Sequence, residues 1–166
     1  MNFKNKLAIT KTPLRISFSG GGTDMPYFYE KYGGLTVSTS INKFIYVTVK
    51  LHKNFREKYR LNYSDTEITN NLNNIKNLRI KETLKYFKIN DPIYINTISD
   101  IPYNTGLGSS SSFLVGLKNA IFRLKKKKIS KSKLAEVAFK IENKITNKSL
   151  GKQDHYISSF GGMKVI

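Results

Sequence analysis

The sequence predicts a single domain that combines β-strands with α-helices. Some short segments alternate apolar and polar residues, longer segments repeat apolar residues at helical spacing, and glycine-rich turns separate the two kinds. The length of 166 residues is that of one domain, and a hydrophobic content of 39% is enough to form a core. Since no repeat or linker divides the chain, we expect residues 1–166 to fold together.

Strands are expected mainly in the first half of the chain. Residues 7–19 predict the first strand, because Leu14, Ile16 and Phe18 alternate with polar side chains. The other elements expected here are a short helix at 26–32 and strands at 35–40, 44–51 and 57–64.

Helices dominate the second half. One begins after Gly108 and carries apolar residues at helical spacing as far as Leu124. Another covers residues 131–147 and follows Ser130, a favoured N-cap residue. The other elements expected here are a helix at 78–87, a strand at 93–98, a short helix that ends at Phe160, and a strand that starts at Met163.

The turn at residues 104–108 leads into the first of these helices, and four serines follow it. Amide groups at a helix N-terminus have no intrahelical partner, and the helix dipole is positive there. Gly106 and Gly108 let an anion approach those amides, while serine hydroxyls add donors and oxygen ligands for a hard cation. The pattern indicates a phosphate site. The alternative is an ordinary capped helix after a tight turn, and the pattern is neither a Walker loop nor a GxGxxG fingerprint.

A second glycine turn, residues 20–22, ends the first strand and is followed by Thr23 and Asp24. Arg15 and Asp24 flank this turn. Their functional interpretation is a loop that faces a substrate, with Asp24 accepting hydrogen bonds from the hydroxyls of a polyol. The alternative is a surface arginine and a turn aspartate.

Two later acids are further candidates. Glu142 lies at the border of an apolar helix stripe, unlike Glu136, which has Lys140 one turn later. A carboxylate at the edge of a core needs a partner, and a metal ion is one, although a solvated helix charge is the alternative. Asp154 stands where a helix N-cap is expected, or it acts as a base or orienting anion for an attacking hydroxyl. His155 has no second histidine at ligand spacing, so no zinc site is expected.

The formal net charge of +18 indicates a polyanionic partner, and nucleic acid is one candidate. The basic residues are scattered, however, and the one run, at 125–128, falls at a helix end where cations suit the dipole. The absence of cysteine excludes disulfides and thiolate metal sites. Without a secretory signal or an apolar run of membrane-spanning length, a cytoplasmic location away from membranes is expected.

Three segments together resemble the motifs of the GHMP kinases, the superfamily of galacto-, homoserine, mevalonate and phosphomevalonate kinases. LRISFSGGGTDMPYFYEKYGG is similar to the substrate-side motif, and DIPYNTGLGSSSS is similar to the phosphate motif. GKQDHYISSFGG is similar to the segment that carries the catalytic aspartate. The first and third are most similar to the D-glycero-D-manno-heptose 7-phosphate kinase branch, and all three occur in the family's order.

The resemblance implies a two-layer α+β fold like domain 2 of ribosomal protein S5, with helices on one face of a mixed sheet. It implies ATP and Mg²⁺ as cofactors and a sugar or sugar phosphate as phosphoryl acceptor. Asp154 would polarise or deprotonate the sugar hydroxyl, and Arg15 would assist the transferring phosphate. Ser110 would ligate Mg²⁺ together with Glu142. The other residues implied are Gly106, Leu107, Gly108, Ser109, Ser110 and Ser111 for the ATP phosphates, and Gly22, Thr23 and Asp24 for the sugar.

Members of this family are longer and carry a C-terminal domain that closes the cleft, so the resemblance implies that this domain is missing here. The chain would then be half of a split enzyme, a truncated product or a fragment. An apolar face would remain for association with a separately encoded C-terminal half or with a second copy. The alternatives to an active kinase are an inactive remnant that still binds nucleotide and, less favoured, a basic nucleic-acid-binding domain.

Overall fold

A computed structural model describes residues 6–52, 56–147 and 150–166. The strands are β1 (Leu7–Ser19), β2 (Val37–Leu51), β3 (Tyr59–Asn62), β4 (Thr66–Thr69), β5 (Ile93–Ser99) and β6 (Met163–Val165). The helices are α1 (Pro26–Tyr32), α2 (Leu78–Tyr86), α3 (Ser109–Leu124), α4 (Lys131–Ile145) and α5 (Gln153–Phe160). A 3₁₀ turn at Leu72–Asn74 precedes α2.

The strands form one mixed sheet in the order β1-β2-β5-β3-β4. Strands β3 and β5 pair in parallel, and the other neighbours pair antiparallel. Strand β6 pairs with the first residues of β2, Val37–Thr39. The short strands β3 and β4 thus lie at the edge opposite β1.

The helices cover one face of this sheet. Helix α3 packs on β1 and β2, α4 and α5 pack on α3, and α2 packs on α4. Side chains of β2 that face this layer, such as Val47 and Val49, are fully buried, whereas Ile9 and Ile98 are exposed. The predicted α+β fold with helices on one face is therefore confirmed. No helix in the described ranges is long and apolar enough to cross a membrane.

Two sequence predictions about the long strands were wrong. The segments at 35–40 and 44–51 are one continuous strand, β2, and the break expected between them is a bulge in which residues 41–43 lie opposite Leu14. In β1 only Leu14 of the predicted apolar face is buried, while Ile16 and Phe18 are exposed. Ser112 at the start of α3 contacts Pro13, so the rest of β1 runs beyond the end of that helix.

Helix α3 approaches the sheet most closely at Gly116. The Thr10 hydroxyl donates to the Gly116 carbonyl at 3.0 Å. A Cβ added at Gly116 would lie 2.8 Å from Thr12 Oγ1 and 3.2 Å from Val47 Cγ2. Because protein interiors are close-packed, a larger residue here would push the helix away from the sheet.

Gly116→Leu is therefore expected to lower the free energy of unfolding by about 1–3 kcal/mol, the usual cost of overpacking. Asn119→Leu, which places the same side chain on the half-buried side of α3, should change it by less than about 0.5 kcal/mol. Urea unfolding of both variants measures the difference. Equal stabilities would mean that the helix–sheet spacing is not set at Gly116.

Candidate active site

A cavity of about 680 Å³ opens at the N-terminal end of α3. Its wall contains the glycine turn and the first serines of α3, together with Arg15, Arg79 and Asp154. The remaining wall carries aromatic and amide side chains from Tyr63, Asn77, Tyr103, Asn104 and Phe113. The cavity thus has a polar, cationic part at the start of α3 and an aromatic part next to that polar part.

Arg15 holds the glycine turn in place. Its amide donates to the Leu107 carbonyl at 3.1 Å, and its guanidinium Nη1 donates to the Gly106 carbonyl. Gly108 has φ +73°, and an added Cβ would lie 3.1 Å from Asp154 Oδ2 and 3.3 Å from Arg15 Cγ. Only glycine fits this backbone conformation and this close approach without strain.

The four serines divide into two pairs. The first intrahelical hydrogen bond of α3 runs from the Ser112 amide to the Gly108 carbonyl, so the amides of Ser109, Ser110 and Ser111 lie ahead of it. Ser109 and Ser110 line the cavity. The hydroxyls of Ser111 and Ser112 are buried and donate inside the fold, to Glu142 Oε2 at 2.8 Å and to the Pro13 carbonyl at 2.9 Å.

Asp154 is bound by Arg15 through a two-pronged ion pair. Arg15 Nε donates to Oδ1 at 2.7 Å and Nη2 donates to Oδ2 at 2.8 Å. The alternative interpretation of Asp154 as an N-cap was wrong, because Lys152 occupies that position and Asp154 lies in the first turn of α5. In that position its carboxylate lines the cavity and holds Arg15 against the glycine turn.

Glu142 is fully buried and joins all the large helices around the cavity. It accepts hydrogen bonds from Arg79 Nε on α2 and from the Ser111 hydroxyl on α3, both at 2.8 Å, and lies 2.8 Å from His155 Nε2 on α5. Burial alone would raise its pKa, but the hydrogen bond and charge of His155 and those of Arg79 outweigh it and lower the pKa to about 2. Glu142 is therefore a carboxylate at neutral pH.

The Ser110–Glu142 pair expected to hold Mg²⁺ is not a contact in this structure. Ser111, one residue later, is the serine that binds Glu142, and Ser110 lies at the cavity wall. Within residues 6–52, 56–147 and 150–166 there is no cluster of three or more acidic or histidine side chains that would hold a metal ion. The metal role of Ser110 and Glu142 stays a prediction.

The turn that contains Gly22, Thr23 and Asp24 does not line this cavity. Asp24 is buried, and its carboxylate accepts from the amides of Gly22 at 3.1 Å and Gln153 at 2.9 Å. The Thr23 hydroxyl donates to the Gly20 carbonyl. Asp24 thus ties the turn to the start of α5, next to Asp154, and its contact with sugar hydroxyls stays a prediction.

Residues 73–162, more than half of the chain, match the family described as GHMP kinases N terminal domain. This stretch contains the glycine turn, α3, Glu142 and Asp154. The chain belongs to the GHMP kinase family.

Two curated relatives and one solved structure show the range of similar GHMP kinases. The chain is 29% identical to a D-glycero-alpha-D-manno-heptose 7-phosphate kinase of Campylobacter jejuni over 95% of its own length and 49% of the relative's. It is 28% identical to a mevalonate kinase of Methanocaldococcus jannaschii, covering 71% of this chain and 43% of that protein. The chain therefore spans about half the length of the curated relatives it matches.

The solved structure is a D-glycero-D-manno-heptose 1-phosphate kinase from Bacteroides thetaiotaomicron. It superposes with a TM-score of 0.83 at 25% identity, over 96% of this chain and 55% of that one. The resemblance to GHMP kinases stated from the three motifs is confirmed.

Three residues of this GHMP kinase domain were missed as site residues by the sequence reasoning. Arg79 lies in the first turn of α2, where the helix dipole disfavours a cation. This unfavourable position could have indicated that Arg79 has an anionic partner. Lys118 interrupts the apolar stripe of α3 and is fully buried, which the helical spacing also indicates. His155 was taken as an isolated histidine, and nothing in the local sequence points to its partner Glu142.

Lys118 is an internal cation behind the serines. Its Nζ lies 3.4 Å from Thr83 Oγ1 on α2. Burial lowers its pKa to about 7, although the negative charge of Glu142 acts in the opposite direction. A lysine with a lowered pKa loses its proton in the native state before it does so in the unfolded chain, so it costs stability wherever it is charged.

Lys118→Met is accordingly expected to raise the free energy of unfolding at neutral pH and below. Between about pH 7 and about pH 10 the unfolded chain binds a proton that native Lys118 has lost, so wild-type stability rises relative to the variant. Denaturant unfolding over this pH range should show the gap between the two proteins closing. Lys133→Met, an exposed lysine on α4, is the control, and a gap that stays constant with pH would contradict the lowered pKa.

Proposed function

We propose that this domain binds Mg·ATP in the cavity and that it serves phosphoryl transfer to a hydroxyl of a sugar or sugar phosphate. A heptose 7-phosphate is the favoured acceptor, because that is the activity named for the relative from Campylobacter jejuni. The observation that carries the proposal is that Ser109 and Ser110, at the N-terminus of α3, line one cavity together with Arg15 and Asp154. Phosphoryl transfer needs this combination of anion donors with an oriented carboxylate.

In this proposal ATP would lie in the cavity in one orientation. The phosphates would lie at the glycine turn, where Gly106 and Gly108 leave the helix amides accessible and α3 presents its positive end. The adenine would lie against the aromatic wall, since planar bases stack on such side chains. Leu107 would contribute its backbone, because its side chain packs against the core.

Asp154 and Arg15 would do the chemistry together. The bond between the acceptor oxygen and the γ-phosphorus forms as the bond to the β-phosphate oxygen breaks, and the charge lies on the transferred group. Asp154 would accept a hydrogen bond or the proton from the acceptor hydroxyl. Arg15, held against it at 2.7 Å and 2.8 Å, would donate to the transferred phosphoryl group.

Mg²⁺ fits the oxygen chemistry of the site, because it takes a few protein oxygens and completes its shell with phosphates and water. The Ser110 hydroxyl would bind it at the cavity wall, and Glu142 would join only by giving up a partner such as Arg79. The ion would neutralise charge on the nucleotide phosphates. Of the two, Ser110 lies at the cavity, whereas Glu142 is enclosed by its partners.

The expected partner, a C-terminal half or a second copy, belongs to this proposal. Exposed apolar side chains cluster where β6 pairs with β2, and this surface would suit either. They are Phe18, Leu35, Met163 and Val165. The cytoplasmic location expected from the sequence also stays a prediction.

Thermal unfolding tests nucleotide binding directly. Mg·ATP at a hundred times its dissociation constant should stabilise the domain by about 2.7 kcal/mol. Gly108→Ala should abolish this shift, because its Cβ would crowd Asp154 and Arg15 at a left-handed backbone position. Gly33→Ala, at φ +70° and ψ 165°, strains the backbone at least as much, but its new Cβ meets open space outside the cavity, so this variant should keep the shift. No shift in the wild type, together with salt-sensitive RNA binding, would favour the nucleic-acid interpretation instead.

Asp154→Asn is expected to cut turnover at least about a hundredfold, since loss of one well-placed group that stabilises the transition state costs about 2.7–4 kcal/mol of barrier. The ATP dissociation constant should change little. ADP release over a panel of sugars and sugar phosphates measures turnover, in the domain alone or with a C-terminal half added. Asp91→Asn is the control, and an active Asp154→Asn protein would remove Asp154 from the mechanism. ATP binding by a wild type that releases no ADP would indicate a nucleotide-binding remnant.

A further inference from the structure

Arg79 and Glu142 form an ion pair across the cavity wall. The Arg79 side chain is 37% exposed and lines the cavity, whereas the Glu142 side chain is fully buried and does not. Glu142 therefore meets the contents of the cavity through Arg79. The cation, and not the carboxylate, is the group that a ligand encounters there.

We propose that Arg79 binds the phosphates of the nucleotide and that Glu142 acts as its positioning residue. This inference rests on the proposed nucleotide binding and adds a residue to it. It gives Glu142 a function in phosphate recognition that does not require direct contact with a metal ion.

The hydrogen-bonding capacity of the guanidinium supports this role. An arginine has five N–H donors, and the contact of Arg79 with Glu142 takes the single donor on Nε. In the part of the chain that the structure describes, the terminal nitrogens Nη1 and Nη2 of Arg79 donate no hydrogen bond. A planar pair of terminal nitrogens beside a cavity is the geometry that binds phosphate oxygens two at a time.

Arg15, the other arginine at the cavity, is bound differently. Its Nε and Nη2 donate to Asp154, and its Nη1 donates to the Gly106 carbonyl. Three of its five N–H donors thus have partners in the fold, against one of five in Arg79. Arg79 therefore has more donors left for a bound anion, and both of its terminal nitrogens are among them.

The backbone of Arg79 is fixed before any ligand binds. Asn77 caps α2 by accepting from the Ile80 amide at 3.1 Å. Glu67 accepts from the amides of Lys76 and Asn77 at 2.6 Å and 2.9 Å, which ties the entry of the helix to β4. The side chain is held by Glu142, so little conformational entropy remains to be lost on binding.

The location of Arg79 also calls for an anion. It stands in the first turn of α2, at the positive end of the helix dipole, and this turn contains no acidic residue. The carboxylate bonded to Arg79 is fully buried, so phosphates in the cavity would supply negative charge on the exposed side of the guanidinium.

Calorimetric titration of the 166-residue domain with adenosine, AMP, ADP, ATP and inorganic tripolyphosphate tests the proposal. Arg79→Lys keeps a charge beside Glu142 but lacks the planar fork, and Arg79→Met removes both. Arg79→Met is expected to weaken ATP and tripolyphosphate about tenfold to a hundredfold, with Arg79→Lys in between. Adenosine binding should stay within about threefold, because uncharged ligands do not use the arginine. Arg123→Met, at the other end of α3, is the charge-matched control, and repeating the series in EDTA separates Arg79 from any bound metal ion.

The outcomes distinguish this proposal from the function it rests on. If both Arg79 variants lose affinity for adenosine and ATP equally, or if neither variant loses affinity for ATP, the role of Arg79 is overturned while nucleotide binding stands. Loss of the Arg79 effect in EDTA overturns it as well. Suppose that tripolyphosphate binding depends on Arg79 but that ATP binds no more tightly than tripolyphosphate. This result would support the phosphate contact and argue against a nucleotide as the ligand. If Arg79→Met does not fold, Arg79→Lys decides by the same criteria, and a wild type that binds neither ATP nor tripolyphosphate overturns both.

Discussion

A single buried carboxylate connects the helices around the cavity. Glu142 on α4 is bonded to Arg79 on α2, to Ser111 on α3 and to His155 on α5. Burying a carboxylate costs several kcal/mol unless charged and hydrogen-bonding partners replace the lost water. Three such partners converge here, and together they outweigh the desolvation that would otherwise raise the pKa of Glu142. The relative positions of four helices therefore depend on one ionised side chain.

The same bonds place the functional groups. Ser111 faces inward to Glu142, and because helical residues turn by about 100° each, Ser109 and Ser110 then face the cavity. His155 is the neighbour of Asp154, so its contact with Glu142 fixes the first turn of α5. Asp154 in turn holds Arg15, and Arg15 holds the glycine turn through Leu107 and Gly106. A path of hydrogen bonds thus runs from the buried acid to the loop that would carry the phosphates.

Much of the fold could be predicted from local pattern, but the partners of the polar groups could not. The apolar stripe of α4 and its Ser130 cap follow from residues a few positions apart, and the structure confirms both. The spacing of α3 also indicates the inward face of Ser111, since Leu114, Lys118 and Ile121 follow it on the same side of the helix. By contrast, the exposure of Ile16 and Phe18 depends on where α3 begins, about a hundred residues later. Likewise, contact between Arg79 and Glu142 spans 63 positions, and no local rule predicts such a pair.

Two carboxylate–arginine pairs flank the glycine turn. They are bonded differently, and this difference suits them to two different roles. The pair of Arg15 and Asp154 is two-pronged and also bonded to the turn, so its first effect is to hold the loop and orient the carboxylate. The pair of Arg79 and Glu142 is held through one nitrogen and is anchored in the interior. A site for phosphoryl transfer needs one group that stays aligned with the acceptor hydroxyl. It needs another group that binds the negative charge of the nucleotide phosphates. A rigid clamp suits the first requirement, and an arginine at the cavity wall that is bound through Nε suits the second.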